Sequence, residues 1–399
     1  VSAVFVPTVV GVALLAFAIW LIFGPDPALV FAVASGVSVL IIACPCALGL
    51  ATPMSIMVGV GKGAQMGVLV RDAAALEQAE KITHLITDKT GTLTEGHPVA
   101  KEIAAVQAGQ EDHVLALAAA LEQLSEHPLA RAVVDSATAK GLALSKVEDF
   151  ESVTGAGVKG QVDGVLVRVG KRAWLEGEGI AIPAPMASAA MALQEKAHTV
   201  LWVAEGAAIA GFIAVADPIK ASTPEAVKAL QDMGLTLVML TGDNLQTAQA
   251  VGRELGITDV RAEVSPAEKL TAVRQLRTGR AVVGMAGDGI NDAPALAEAD
   301  VGIAMGTGTD VAIQSAGLTL VKGDLRGIVR AQGLSRDVMR NIRQNLFFAF
   351  IYNAVGIPLA AGLLYPLTGW LLNPMIAGAA MALSSVSVIG NALRLRRKA

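Results

Sequence analysis

The chain has 399 residues, of which 53% are hydrophobic and 17% charged, and its net charge is −4. That length exceeds one ordinary domain and predicts two or three. The slightly acidic balance offers no basic face for nucleic acid, and two cysteines, Cys44 and Cys46, are too few for a disulfide framework or a zinc ribbon.

The apolar residues concentrate at both ends. Residues 4–23 are long and apolar enough to cross a bilayer, which takes roughly 20 residues in a helix. The turn Gly24-Pro25-Asp26-Pro27 leads to a second span, residues 28–50, whose apolar character persists to about residue 60. Two more spans are expected at 346–364 and 370–393, parted at Tyr365-Pro366. Lys62, Arg71, Arg336, Arg340 and Arg343 lie on the side of the middle block, and Arg394, Arg396, Arg397 and Lys398 follow the last span. By the positive-inside tendency, the middle block and the C-terminus are cytoplasmic. The chain starts at Val1 within an apolar run, without a charged leader segment, and this start is read as a truncation.

The second span contains Ala43-Cys44-Pro45-Cys46-Ala47-Leu48. Proline inside a helix removes a backbone N–H, clashes with the preceding turn and frees carbonyls. Two cysteines so close in sequence are expected not to form a relaxed disulfide. Their thiolates would instead select a soft ion such as Cu(I) or Zn.

In the middle block, residues 82–88, 235–243 and 281–289 are short apolar runs that close at Asp88, Asp243 and Asp288. Each fits a parallel strand buried on both faces, and helix-like stretches follow at 244–255, 267–278 and 293–299. This predicts a doubly wound α/β sheet, with ligands at the carboxyl ends of its strands. Residues 97–215 interrupt it with two helical stretches around 112–139 and then short alternating runs with turn glycines. They read as an inserted α+β domain on an antiparallel sheet.

A carboxylate that ends a buried strand and precedes a Gly/Thr-rich turn, as in Asp88-Lys89-Thr90-Gly91-Thr92-Leu93-Thr94, can attack phosphorus while the turn holds phosphoryl oxygens. Thr241-Gly242-Asp243 adds a hydroxyl and a backbone turn. Lys269, in Ser265-Pro266-Ala267-Glu268-Lys269, adds a point cation for the spread-out charge. Gly287-Asp288-Gly289-Ile290-Asn291-Asp292 supplies two hard carboxylates suited to Mg²⁺. Together these strings resemble the four motifs of the haloacid-dehalogenase superfamily as P-type ATPases carry them. The resemblance implies that Asp88 is the nucleophile toward ATP, with Lys89, Thr90, Thr241, Gly242, Asp243 and Lys269 completing the catalytic set. It also implies Mg²⁺ held by Asp288 and the Thr90 carbonyl, with Asp292 in support.

Within the insert stand Glu122, Ser125-Glu126-His127-Pro128 and Thr154-Gly155-Ala156-Gly157. A lone His before Pro is ordinarily a helix-start residue. The combination, however, resembles the nucleotide-binding domain of the heavy-metal (P1B) branch. That resemblance implies adenine contacts from Glu122 and His127, with Gly155 and Gly157 admitting the nucleotide to the backbone. Gly170-Lys171 departs from the Gly-Asn that the family often carries.

Polar residues inside spans are costly and usually functional. The third span carries Tyr352-Asn353; the fourth carries Met381 and Ser385 on one helical face, with Ser384 alongside. Neither has Asp, Glu, Lys or His, so two thiolates, a thioether and neutral oxygens suit a soft monovalent ion better than a divalent one. Helix packing is the competing reading for Ser384 and Ser385. These pairings resemble the Cu(I)/Ag(I) subgroup. They imply ATP-driven export of Cu(I) through an aspartyl phosphate, with Cys44, Cys46, Tyr352, Asn353, Met381 and Ser385 as ion ligands. The plasma (inner) membrane is the expected location, and a cytosolic copper chaperone a partner. A Zn or Cd pump and, more distantly, a membrane-anchored phosphatase are the alternatives. The chain holds no Thr-Gly-Glu loop and no Cys-x-x-Cys, so an actuator domain is expected to precede Val1.

The expected division is two transmembrane helices with the Cys-Pro-Cys motif in 1–69 and two more in 336–399. A haloacid-dehalogenase-like α/β phosphorylation domain lies in 70–96 and 216–335, and the inserted α+β nucleotide-binding domain in 97–215.

Overall fold

The computed structural model describes residues 2–397 apart from 126, 154, 197, 244, 279 and 280. Glu126, Thr154, Asn244 and Lys398 of the readings above therefore lie outside the described residues. The chain divides into two compact units, Val1–Glu80 with Arg330–Ala399, and Lys81–Val329.

The first unit is helical. Ser2–Phe23 and Ala28–Ile42 are joined by the predicted Gly/Pro turn. The second apolar run is not one helix: it stops at Ile42 and resumes as Cys46–Gln65, with Pro45 at the new N-cap. Pro45 has no N–H to continue the ladder, which accounts for the break. The third expected span also differs. Residues 346–360 are the apolar tail of a longer helix, Arg326–Ala360, and turns fill 361–364. Arg340, Arg343, Gln344 and Asn345 precede that tail, so the apolar stretch falls short of the roughly 20 residues a span needs. Among the described residues, three helical segments, Phe5–Phe23, Ala28–Gln65 and Pro374–Arg394, are long and apolar enough to cross a membrane.

Two of the apolar clusters that join these helices flank the Pro45 break. One joins Ala13, Ala16, Val39, Ile42, Ala360, Ala377 and Met381, with Cys44 and Ile357 packed against it. The other joins Ala47, Ala51, Ala349 and Val388. Beyond them Ser55, Asn341, Asn345 and Asn391 form a closed amide network, with Asn345 Nδ2 donating to Ser55 Oγ at 3.0 Å and Asn391 Nδ2 to Asn345 Oδ1 at 2.9 Å.

In the second unit, a parallel sheet runs Leu318–Leu320, Val301–Met305, Val283–Gly287, His84–Asp88, Thr236–Leu240, Asp259–Arg261. Its central strands are buried on both faces, which is why they read as unbroken apolar runs. The register sets Asp88 opposite Leu240, so Thr241 follows at the same edge.

The other sheet of this unit is antiparallel, in the order Val99–Ala105, Ala208–Ala216, Thr199–Glu205, Val165–Gly170, Gly157–Val162, Val147–Val153. Along Ala208–Ala216, Ile213 and Val215 pack under Glu111–Glu122 and Pro128–Ala139, while Phe212 and Ala214 face the opposite cluster with Leu175 and Leu193. Period-2 alternation thus gives the sheet two covered faces. Asp217 ties together the points where this insert leaves and returns: it accepts from Thr94 Oγ1 at 2.5 Å and from the Gly96 N–H at 2.9 Å.

Candidate functional site

Asp88 ends the central strand of the parallel sheet and is 7% exposed. The chain then turns sharply: Thr90 is extended, and Gly91 takes a left-handed φ of +71°. Across the edge, a Ser265–Glu268 capping box opens the helix Pro266–Arg277 and sets Lys269 in its first turn. Lys269 Nζ donates to Asp88 Oδ1 at 2.6 Å and to Asp292 Oδ1 at 2.8 Å. Burial opposes the lysine's charge, but the Asp88 and Asp292 carboxylates hold its pKa above the ordinary range.

Burial, and next the charge of Asp292, push Asp88 up to about 7 against the pull of Lys269. Burial and Asp292 likewise raise Asp288, against the opposing charge of Lys220. Asp88, Asp288 and Asp292 each bring a carboxylate oxygen within 4.8 Å of the others. Three carboxylates around one lysine leave excess negative charge on hard oxygens, a donor set that fits Mg²⁺. Asp292 is already engaged, since its Oδ2 also accepts the Gly289 N–H at 3.2 Å.

Thr241 is buried beside Asp88, and its Oγ1 accepts the Asp243 N–H at 3.1 Å. Lys89 Nζ meets Asp243 Oδ2 at 2.5 Å. The structure therefore brings Asp88, Lys89, Thr241, Gly242, Asp243, Lys269, Asp288 and Asp292 to one sheet edge. Sequence reasoning missed Lys220, whose Nζ donates to Gly91 O at 2.5 Å and Gly323 O at 2.9 Å. Burial lowers its pKa, opposed by Glu95 and Asp288. The one available signal was the string Asp217-Pro218-Ile219-Lys220 just after the insert.

Glu122, His127, Gly155 and Gly157 line one cavity of about 290 Å³, together with Lys171. Glu122 ends the helix Glu111–Glu122, and burial pushes its carboxyl up to about 7 against a hydrogen bond with Ser125. His127 has the helix-start role as well, its Nδ1 accepting the Leu129 N–H at 3.2 Å. A Cβ on Gly157 would lie 2.2 Å from Val169 O, so the backbone there can only be glycine.

Cys44 and Cys46 are joined as a disulfide, with Cα atoms 5.5 Å apart, contrary to the sequence expectation. In an unbroken helix, side chains two residues apart point away from each other; the break at Pro45 turns these two together. Cys44 packs with the cluster that contains Met381. Asn353 is buried, and its Oδ1 has no hydrogen-bond partner among the described residues. The Tyr352 hydroxyl lies 3.5 Å from Ser387 Oγ, and its ring lines an apolar cavity of about 340 Å³. Ser385 is half-buried, whereas Ser384 is fully buried.

The family model for haloacid dehalogenase-like hydrolases matches residues 82–300. The chain is 59% identical over 397 residues to a copper-exporting P-type ATPase of Legionella pneumophila, covering 100% of this chain and 54% of that protein. It is 56% identical to a silver exporting P-type ATPase of Salmonella typhimurium, covering 99% of this chain and 48% of that protein. Among solved structures, a zinc-transporting PIB-type ATPase in the E2.Pi state aligns with a TM-score of 0.84 at 36% identity, over 99% of this chain and 63% of that one. The chain thus spans about half the length of the curated relatives it matches.

Proposed function

This chain belongs to the haloacid dehalogenase-like hydrolases and, within them, to the P-type ATPases, and on that premise we propose that it is the catalytic part of an ATP-driven exporter of Cu(I) or Ag(I). The observation that carries the reading is Lys269 bridging Asp88 and Asp292 beside Asp288. An Asp88 oxygen attacks the γ-phosphorus of ATP, the bond to the bridging oxygen breaks, and ADP leaves with that electron pair. Lys269, the Thr241 hydroxyl and the Gly242 backbone hold the transferring oxygens, and Lys89 is steadied by Asp243. Asp288 and the Thr90 carbonyl would hold Mg²⁺, with Asp292 in support; when bound, the ion supplies positive charge to the phosphates.

The antiparallel insert, residues 97–215, presents ATP. Adenine enters the cavity of Glu122 and His127, and the ribose and phosphates pass over Gly155 and Gly157. The phosphorylation domain takes 70–96 and 216–335, and the membrane parts 1–69 and 336–399. The soluble parts are cytoplasmic, the membrane is the plasma (inner) membrane, and a cytosolic chaperone delivers the ion.

Cys44 and Cys46, in the reduced form, hold the cargo with Asn353, Met381, Tyr352 and Ser385. The spans carry no carboxylate to balance a divalent ion, and the relatives named for copper and silver, at 59% and 56% identity, stand nearer than the zinc transporter at 36%.

The test is the chain in lipid vesicles with γ-labelled ATP, Mg²⁺ and reductant. Acid-stable, hydroxylamine-labile label that rises with Cu(I) and not with Zn²⁺ is expected. Stimulation by Zn²⁺ alone would reassign the cargo, and no label would overturn the phosphoryl reading.

A further inference from the structure

We propose that Ser384, buried between two apolar clusters of the helical unit, is a further ligand of the transported ion, acting through its Oγ at the packing level of Asn353. The inference rests on the Cu(I) reading above and adds a residue to it.

Five other serine hydroxyls of this unit have partners. Ser35 donates to Ala360 O at 3.1 Å and Ser38 to Leu372 O at 3.0 Å. Ser55 donates to Ala51 O at 2.8 Å, and Ser335 to Leu76 O. Even the half-buried Ser387, one turn along the same helix, bonds back to Leu383 O at 2.8 Å, the ordinary recourse of a helical serine. Ser384 is 1% exposed and its Oγ has no partner among the described residues. Asn353 is 6% exposed and its Oδ1 has none either. Buried polar atoms are nearly always paired, so two orphans in one helical packing layer point to a missing third party.

The layer is defined by the clusters on either side. On Pro374–Arg394, Ser384 stands between Met381 of one cluster and Val388 of the other, on one helical face. On Arg326–Ala360, Asn353 stands between Ile357, packed against the first cluster, and Ala349 of the second. Around Pro45, Cys44 packs against the first cluster and Ala47 belongs to the second. Three elements therefore bring their polar groups to one level, walled by apolar side chains above and below. Neither oxygen carries charge, and an ion there keeps its net charge balanced by the thiolates alone. That combination favours a monovalent soft cation with oxygen contacts completing a sulfur-dominated shell.

The test uses the whole chain, reduced, in lipid nanodiscs, with Cu(I) itself as the probe. Affinity is read by competition with a Cu(I) chelator, and the ligand shell by X-ray absorption. Ser384→Ala should weaken Cu(I) binding roughly tenfold, the equivalent of losing one modest contact. Ser384→Cys should retain or raise affinity and add a sulfur neighbour to the ion, which a merely packing serine could not do. Unchanged affinity in Ser384→Ala, or no added sulfur in Ser384→Cys, overturns the proposal. Absence of Cu(I) binding by the unaltered chain would instead overturn the cargo reading on which it rests.

Discussion

A methyl group on Gly91 would lie 1.8 Å from Asp288 Oδ2. The turn after the nucleophile and the acidic loop across the sheet edge therefore fit each other only because residue 91 has no side chain. Gly91→Ala also forces a left-handed φ of +71° on a residue with a Cβ, a cost of roughly 1–2 kcal/mol. We expect phosphoenzyme formation to fall at least about tenfold, with ATP binding in the insert unchanged. Labelling near the unaltered level would show that the loops can part without consequence.

Asp88→Asn preserves the size of the side chain and an oxygen for Lys269 but removes the attacking carboxylate. Acid-stable label from γ-labelled ATP should vanish while the chain remains folded. Undiminished hydroxylamine-labile label would remove Asp88 from its role.

Glu122 has its folded pKa raised from 4.5 to about 7 by burial. The folded chain thus binds this proton more tightly than the unfolded one. The stability it contributes is full below the ordinary value and is lost as pH rises through about 7. The loss is about 3 kcal/mol at most, and Glu122→Gln should escape it. Thermal melts at about pH 5 and about pH 8 should show the gap widening in favour of the glutamine variant at the higher pH. A pH-independent gap would mean that the carboxyl does not titrate in this range.

His127 both caps the helix Pro128–Ala139 and lines the nucleotide cavity. Asparagine is a strong N-cap, so His127→Asn separates the roles. We expect an unchanged melting temperature and ATP affinity weakened several-fold by calorimetry. Unchanged affinity would leave His127 with its cap alone.

Cys44→Ser and Cys46→Ser each replace a soft ligand by a hard one and should sharply weaken Cu(I) binding. ATP binding should be little altered, since the cavity lies in the other unit. Loss of both together would signal misfolding, and retention of Cu(I) would refute the thiol site.

Asp88, Asp243 and Asp288 were legible because each closes an apolar run, and a buried parallel strand writes itself into sequence as such a run. The sheet order was not legible, since pairing depends on segments as distant as His84 and Thr236. Lys220 escaped because its acceptors, Gly91 O and Gly323 O, are backbone atoms far along the chain and leave no mark in the residue pattern. The helix bounds expected at 346–364 shift because local hydropathy does not show where a helix starts, and this one runs Arg326–Ala360. Spacing from Met381 points to Ser385, whereas the packing of neighbouring helices makes Ser384 the interior one.

The tie at Asp217 bears on how the chain comes to fold. The strand His84–Asp88 emerges from the ribosome well before its partner Thr236–Leu240, with the whole insert between them. Closing so long a flexible loop would carry an entropic cost that grows with its length. An insert that folds first, with Thr94 and Gly96 already bonded to Asp217, shortens that loop to residues 89–94 and 217–235. The nascent α/β sheet then assembles as if the insert were a short turn, and its size can change without slowing the pairing on which the nucleophile depends.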